Sequence, residues 1–152
     1  MEQKSLQYNL VSVKKLTAYL NSLDALPIKD LKDEKIGVRK GFQFRFDKIS
    51  GIFNIRLIVD FMCRVETPEP IKLFGVTVQF EFSFKDYNEI IQEVDNTKVN
   101  IPDDLLITLM SVSYSTTRGI LSMFTDGTDY QDVLLPLVNI QEFKAMLLPQ
   151  QV

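Results

Sequence analysis

The sequence predicts an α+β domain: an antiparallel sheet with one covered face, followed by helices. Three observations carry this expectation. Apolar and polar residues alternate through most of Gly41 to Lys85, the period-two signature of strands with one buried side. Ile101 to Phe124 has the start signals and length of a long helix. Val133 to Leu147 then runs from a Leu-Pro-Leu-Val-Asn segment into a short amphipathic stretch.

Taken in order, Tyr8 to Leu20 supports a bulged strand through about Val13, with a register break near Lys14 and Lys15. Val13, Leu16, Leu20 and Leu23 also fit a helical stripe, so the assignment rests on topology. Lys29 to Lys40 mixes charges of both signs and reads as a solvated loop. Phe42, Phe44 and Phe46 open the alternating region. After a Ser50-Gly51 turn, Phe53, Ile55, Leu57, Val59, Phe61, Cys63 and Val65 take every second position. Beyond Pro68 and Pro70, Phe74, Val76, Val78, Phe80, Phe82 and Phe84 do the same. A slip of one residue would turn every phenylalanine into water, so register is strongly specified.

Tyr87 to Val94 reads as a short helix. In the long helix, Pro102 suits the first position, and Asp103 and Asp104 place negative charge at the positive end of the dipole. Leu105, Leu109, Val112, Thr116, Ile120 and Phe124 are the expected buried face, and Gly127 can stop the helix in a left-handed conformation. Ile140, Phe143, Ala145, Met146 and Leu147 belong to a last short helix.

A length of 152 residues suits a single domain over the whole chain. The chain has no histidine and one cysteine, Cys63, which removes the commonest general base, zinc sites and Ser/His or Cys/His catalysis. Enzymatic chemistry is therefore not expected, nor is a metal or cofactor. A net charge of −3 with scattered basic residues argues against a nucleic-acid partner. No apolar run is long enough for a membrane span. The start, MEQKSLQYNL, lacks a signal pattern, and with a single cysteine it suits a cytoplasmic protein.

Two groups of residues stand out. Ile52, Ile58, Met62, Ile71 and Leu73 fall on the nominally polar side of their strands. Either a helix or loop covers them, or they form a contact surface for a client or another subunit. Ser111, Ser113, Tyr114, Ser115 and Thr117 crowd small hydroxyl side chains into a helix, where they lower propensity. Two readings stay open. The helix approaches a neighbour closely, its hydroxyls bonded one turn back, or it presses against a symmetry mate. Asp126, Asp129 and Asp132 lack the order of a calcium loop and are better explained by turn chemistry. Arg118 has Asp104 and Glu142 as possible ion-pair partners, and Cys63 is expected to be a buried hydrophobe.

The last half of the chain resembles the SecB-type export chaperones. KLFGVTVQFEFSF (Lys72 to Phe84) is similar to their long penultimate strand. Ile101 to Ile120, with a leucine pair, small residues and Arg118-Gly119, is similar to their main helix. Leu134 to Asn139 is similar to their Pro-Val-Asn signature. The resemblance implies a four-stranded antiparallel sheet with a long C-terminal helix and short helices on one face. It also implies a homotetramer built as a dimer of dimers, and ATP-independent holding of unfolded polypeptides or preproteins on apolar grooves without a cofactor. The chain departs from the pattern where family members dock to the translocase motor. Lys14, Lys15 and Val76 or Thr77 stand in place of acidic residues, Phe80 and Glu81 replace paired glycines, and no acidic tail precedes the end at Val152. These departures weigh against motor docking. The leading expectation is a holdase; the alternative is a non-catalytic oligomeric scaffold or a dedicated chaperone of one partner, such as an antitoxin.

Overall fold

The computed structural model describes residues 7–28, 30, 35–63, 68–94 and 99–147. Four long strands form the antiparallel sheet: β1 (Tyr8–Leu20), β2 (Ile36–Asp47), β3 (Ile52–Cys63) and β4 (Ile71–Phe84), in the order β1-β4-β3-β2. Then come α1 (Tyr87–Ile90), a two-residue pairing of β5 (Gln92–Glu93) with β6 (Val99–Asn100), α2 (Asp103–Thr125) and α3 (Ile140–Leu147). Helix α2 lies across β3 and β4, with Cα atoms within 8 Å of theirs. Phe53, Ile55, Leu57 and Val59 from β3, and Val76, Val78, Phe80 and Phe82 from β4, are buried beneath the helices. This is the α+β architecture expected from the alternation, and its sheet has four antiparallel strands.

Local chemistry accounts for the connections. Gly51 closes the β2–β3 hairpin at φ +70°, donating to Asp47 O, while the Asp47 carboxylate accepts from the amide of Ile49. The Ile49 amide, followed by the Ser50 hydroxyl and amide, holds the Asp47 carboxyl below its usual pKa. Gly127, at φ +73°, turns the chain after α2, and Thr128 Oγ1 donates to Thr125 O. The turn delivers Tyr130 to the core, where its ring lies 4.9 Å from that of Phe74 and its hydroxyl donates to Asn21 O. Asp126, Asp129 and Asp132 all lie within this run of turns. Asn139 caps α3, accepting at Oδ1 from the amide of Glu142 at 2.9 Å.

Several boundaries differ from expectation. β1 continues to Leu20, because two bulges, between Leu10 and Ser12 and between Lys15 and Thr17, absorb the break in alternation on either side of Lys14 and Lys15. β2 begins at Ile36, inside the stretch read as a loop; pairing with Phe61 to Cys63 recruits these residues despite their charges. α1 ends at Ile90, since Gln92 and Glu93 pair with β6. Val65 and part of the Lys29 to Lys40 reading lie outside the described residues.

The buried face of α2 is rotated from the one anticipated. Leu105 and Leu109 are shared, but Ser113, Thr117, Leu121 and Thr125 continue the stripe against the sheet. Val112, Thr116, Ile120 and Phe124 are left half-buried on its flank. Small side chains let the helix lie close over the bulky residues of β3 and β4. Ser113 and Thr125 donate back to Leu109 O and Leu121 O, so their hydroxyls are satisfied. Thr117 Oγ1 is buried with no partner among the described residues. Thr117→Val keeps the shape and removes an unpaired polar atom, and should stabilise the protein by about 1 kcal/mol in denaturant melts.

Candidate functional site

The five residues expected on the outer sheet face separate into two groups. The β3–β4 register pairs Phe61 with Phe74 but Met62 with Lys72, leaving Leu73 as an extra residue on β4. That bulge rotates Leu73 and Ile71 onto the helix-covered side: Leu73 is fully buried and Ile71 packs against the core. Asn21 pins the bulge, its backbone amide donating to Leu73 O (2.8 Å) and its side-chain amide to Lys72 O (2.9 Å). Ile52, Ile58 and Met62 do lie on the outer face and are half-buried there. Ile71 and Leu73 therefore cannot share a surface with them.

The helix residues divide similarly. Ser113, Tyr114 and Thr117 are buried inside the protomer, which favours close approach within the chain over contact with a mate. Tyr114 makes an edge contact with Phe143 and donates its hydroxyl to Pro136 O. Burial first, then the charge of Glu142, pushes its pKa up to about 12. Lys40 Nζ sits 5.3 Å from the same ring. Arg118 donates through Nε to Leu135 O at 2.8 Å, fastening the Leu-Pro-Leu segment rather than pairing with Asp104 or Glu142. Ser111 is half-buried and bonded to Ile107 O, and Ser115 is exposed.

What remains open is an apolar strip that the sequence reading did not assemble. Edge strand β1 exposes Leu10 (41%), Val11 (56%), Val13 (41%) and Leu16 (42%). Leu10 and Val13 pair with Phe82 and Phe80, placing them on the helix-bearing side of the sheet, where α2 does not cover them. At its C-terminal end α2 faces β1: Lys15 Nζ lies 5.5 Å from the Phe124 ring centre, and Met123 beside it is 83% exposed. Val11 and Leu16 are the residues left unpaired at the two bulges, and because bulges are set by pairing with β4 the strip was not legible in the sequence.

At one end of the outer face lies a polar cluster. Tyr19 Oη donates to Asp60 Oδ1 at 2.7 Å and Arg39 Nη2 to Asp60 Oδ2 at 2.9 Å. Lys72 Nζ lies 5.9 Å from the Tyr19 ring centre. Burial would raise the Asp60 pKa, but the Tyr19 and Arg39 hydrogen bonds and the Lys72 charge outweigh it, and the net direction is down. Burial, followed by the bond to Asp60, raises the Tyr19 hydroxyl. Because the folded pKa of Asp60 is depressed, its stabilisation is complete above the ordinary carboxylate range. It is lost as pH falls through the folded value. Asp60→Asn should therefore cost about 1–2 kcal/mol at pH 7, a gap that closes as pH falls below the ordinary carboxylate range in paired thermal melts. The cluster has no nucleophile beside a base, and no group of three or more potential metal ligands occurs among the described residues. No helix among them is long and apolar enough to cross a membrane.

No protein-family model matches the chain, and no curated protein matches it. Among solved structures it is similar to the Mycobacterium tuberculosis Rv1957 SecB-like chaperone, in complex with a ChAD peptide from the Rv1956 HigA1 antitoxin. The TM-score is 0.58 at 11% identity, over 86% of this chain and 90% of that one. The likeness is one of fold.

Proposed function

We propose that this protein is a SecB-like, ATP-independent chaperone that holds non-native polypeptide segments on apolar surface and performs no chemistry. The exposed strip along β1 and the end of α2 is the observation that carries this reading. Leu10, Val11, Val13, Leu16, Met123 and the half-buried Phe124 leave side chains in water that a monomer with no partner has reason to cover. The strip is long and narrow, which suits an extended segment. The similar fold of a SecB-like chaperone bound to a peptide supports a polypeptide as the occupant.

Assembly belongs to the same proposal. Among the described residues β1 and β2 are the edge strands of the sheet, of 13 and 12 residues. Edges of that length template pairing with other chains unless a partner takes them up. A dimer of dimers in the cytoplasm, as the family resemblance implies, would occupy one edge of each protomer and leave the α2 end for clients. A dedicated-partner role is the second reading, favoured by the antitoxin peptide carried by the structural neighbour. Lys14 and Lys15 on β1 continue to weigh against docking to a translocase motor.

The purified oligomer should suppress aggregation of a reduced model client at stoichiometric ratio without nucleotide. Val11→Glu combined with Met123→Glu, both at exposed positions, should abolish suppression while leaving the melting temperature within a few degrees. A correctly assembled oligomer that never slows aggregation would exclude the general holdase. Capture of many proteins from a denatured lysate, as against one, separates the two readings.

A further inference from the structure

The outer face of the sheet, opposite the helices, carries features that neither the fold nor the apolar strip explains. Its cross-strand rows can be read from the register: Arg45–Asn54–Glu81–Ser12, Gln43–Arg56–Gln79–Lys14, Gly41–Ile58–Thr77–Thr17, Arg39–Asp60–Gly75–Tyr19 and Gly37–Met62–Lys72. Two of these positions are glycines of β2, Gly37 next to its start and Gly41 in its interior, where glycine costs about 0.5–1 kcal/mol relative to alanine. Strand glycines usually mark a bulge, a special backbone conformation or the close approach of another chain. The β2–β3 register runs unbroken through every pair from Ile36 to Asp47, so there is no bulge. Neither glycine has a positive φ. A Cβ at Gly41 would meet nothing within 4 Å, and one at Gly37 would meet only Met62 O, at 4.0 Å. Close approach of another chain is the explanation left.

The floor these glycines leave is flanked by Ile58 and Met62, four residues apart on β3 and hence about 13 Å apart along it. The surrounding charge is basic. Lys14, Arg39, Arg45, Arg56 and Lys72 stand on this face against Asp47, Asp60 and Glu81, although the chain as a whole carries −3. Asp60 is engaged by Tyr19 and Arg39, and Glu81 by Lys14 at 3.3 Å. Arg56 donates to the neutral amide oxygen of Gln79 at 3.1 Å, which leaves its charge uncompensated by that contact. Arg39 remains 60% exposed beside the glycine floor while bonded to Asp60.

We infer that this face docks an extended acidic segment of a partner polypeptide. Its chain would lie over Gly37 and Gly41, apolar side chains would rest on Ile58 and Met62, the carboxylate between them would meet Arg39, and the next one along, beyond Ile58, would meet Arg56. Strand geometry sets the pattern: residues at i and i+4 are apolar, the one at i+2 is acidic, and all three point to the same side. Charge complementarity selects an acidic partner over a basic one. This rests on the proposed function only in taking a polypeptide as the occupant, and it places that occupant on the opposite side of the sheet from Leu10, Val13 and the end of α2.

The test uses a fluorescein-labelled peptide about as long as β2, with isoleucine and aspartate alternating at even positions and serine at odd ones. Its affinity is read by fluorescence anisotropy against the whole protein. A sister peptide with lysine for aspartate, and a thymidine oligonucleotide of matching length, are measured beside it. The aspartate peptide should bind at least about tenfold more tightly than the lysine one, and weaken with salt. Gly41→Val, which fills the floor with a good strand former, and Arg56→Glu, at an exposed position, should each weaken it by roughly tenfold. The charge-neutral pair Val13→Ser and Met123→Ser, on the helix-bearing side, should leave it unchanged, which separates this site from the apolar strip. Equal binding of the two peptides, indifference to both Gly41→Val and Arg56→Glu, or an oligonucleotide bound as tightly as the aspartate peptide would overturn the inference. The aggregation assay stands or falls independently of these results.

Discussion

Gly75→Ala is expected to destabilise the protein by about 3 kcal/mol, lowering its melting temperature by on the order of 10 °C. A Cβ at position 75 would stand 2.5 Å from Val59 O, 2.8 Å from Tyr19 Cε1 and 2.9 Å from Asp60 Oδ1. The first neighbour is backbone of the adjacent central strand and cannot withdraw without shifting β3. The other two form the Tyr19–Asp60–Arg39 cluster, so relief at their expense would break hydrogen bonds to a buried carboxylate. Glycine is needed at this position because side chains from both neighbouring strands close over it. A shift of less than about 2 °C would mean that β3 yields freely.

Leu73→Ala is the second large effect, with an expected loss of about 3 kcal/mol against under about 1 kcal/mol for Ile58→Ala. Simple alternation puts both residues on the outer face, and on that basis the two truncations should cost similar amounts. The bulge removes the symmetry. Leu73 is fully buried, next to the stack in which the Phe61 and Phe74 rings lie 4.4 Å apart. Ile58 stays half-buried beside the open floor of Gly41. Truncating Leu73 leaves a cavity in close-packed surroundings, whereas truncating Ile58 opens onto solvent. Equal losses in denaturant titrations would show that β4 runs without the bulge.

The same comparison marks what could be read from residues alone. Phe42 to Phe46, Phe53 to Cys63 and Phe74 to Phe84 alternate so regularly that strand identity, sheet type and the covered face follow from period two. Asp103, Asp104 and Gly127 bracket α2 well because helix-end and turn chemistry are local, while Pro102 sits one residue before its expected place, at the N-cap. The candidate site was less legible. Of the outward apolar residues, Ile52, Ile58 and Met62 hold their places, while Ile71 and Leu73 do not. Among the helix residues, Ser115 and the half-buried Ser111 reach the surface, whereas Ser113, Tyr114 and Thr117 face inward.

The sequence by itself determined that this is an antiparallel sheet beneath a long helix, with no histidine-based chemistry and much apolar surface to place. Those properties depend on neighbours two, three or four residues apart, and the chain carries them wherever it folds. Which side each borderline residue takes was decided only in three dimensions. Asn21 and Tyr130, distant in sequence, fix the bulge at Leu73; β4 sets the bulges at Val11 and Leu16; and the room above β3 and β4 turns Ser113 and Thr117 of α2 inward. A single extra residue in a strand, or a small rotation of a helix, reverses what faces solvent at almost no local cost. Contacts across the sheet are what choose between such alternatives.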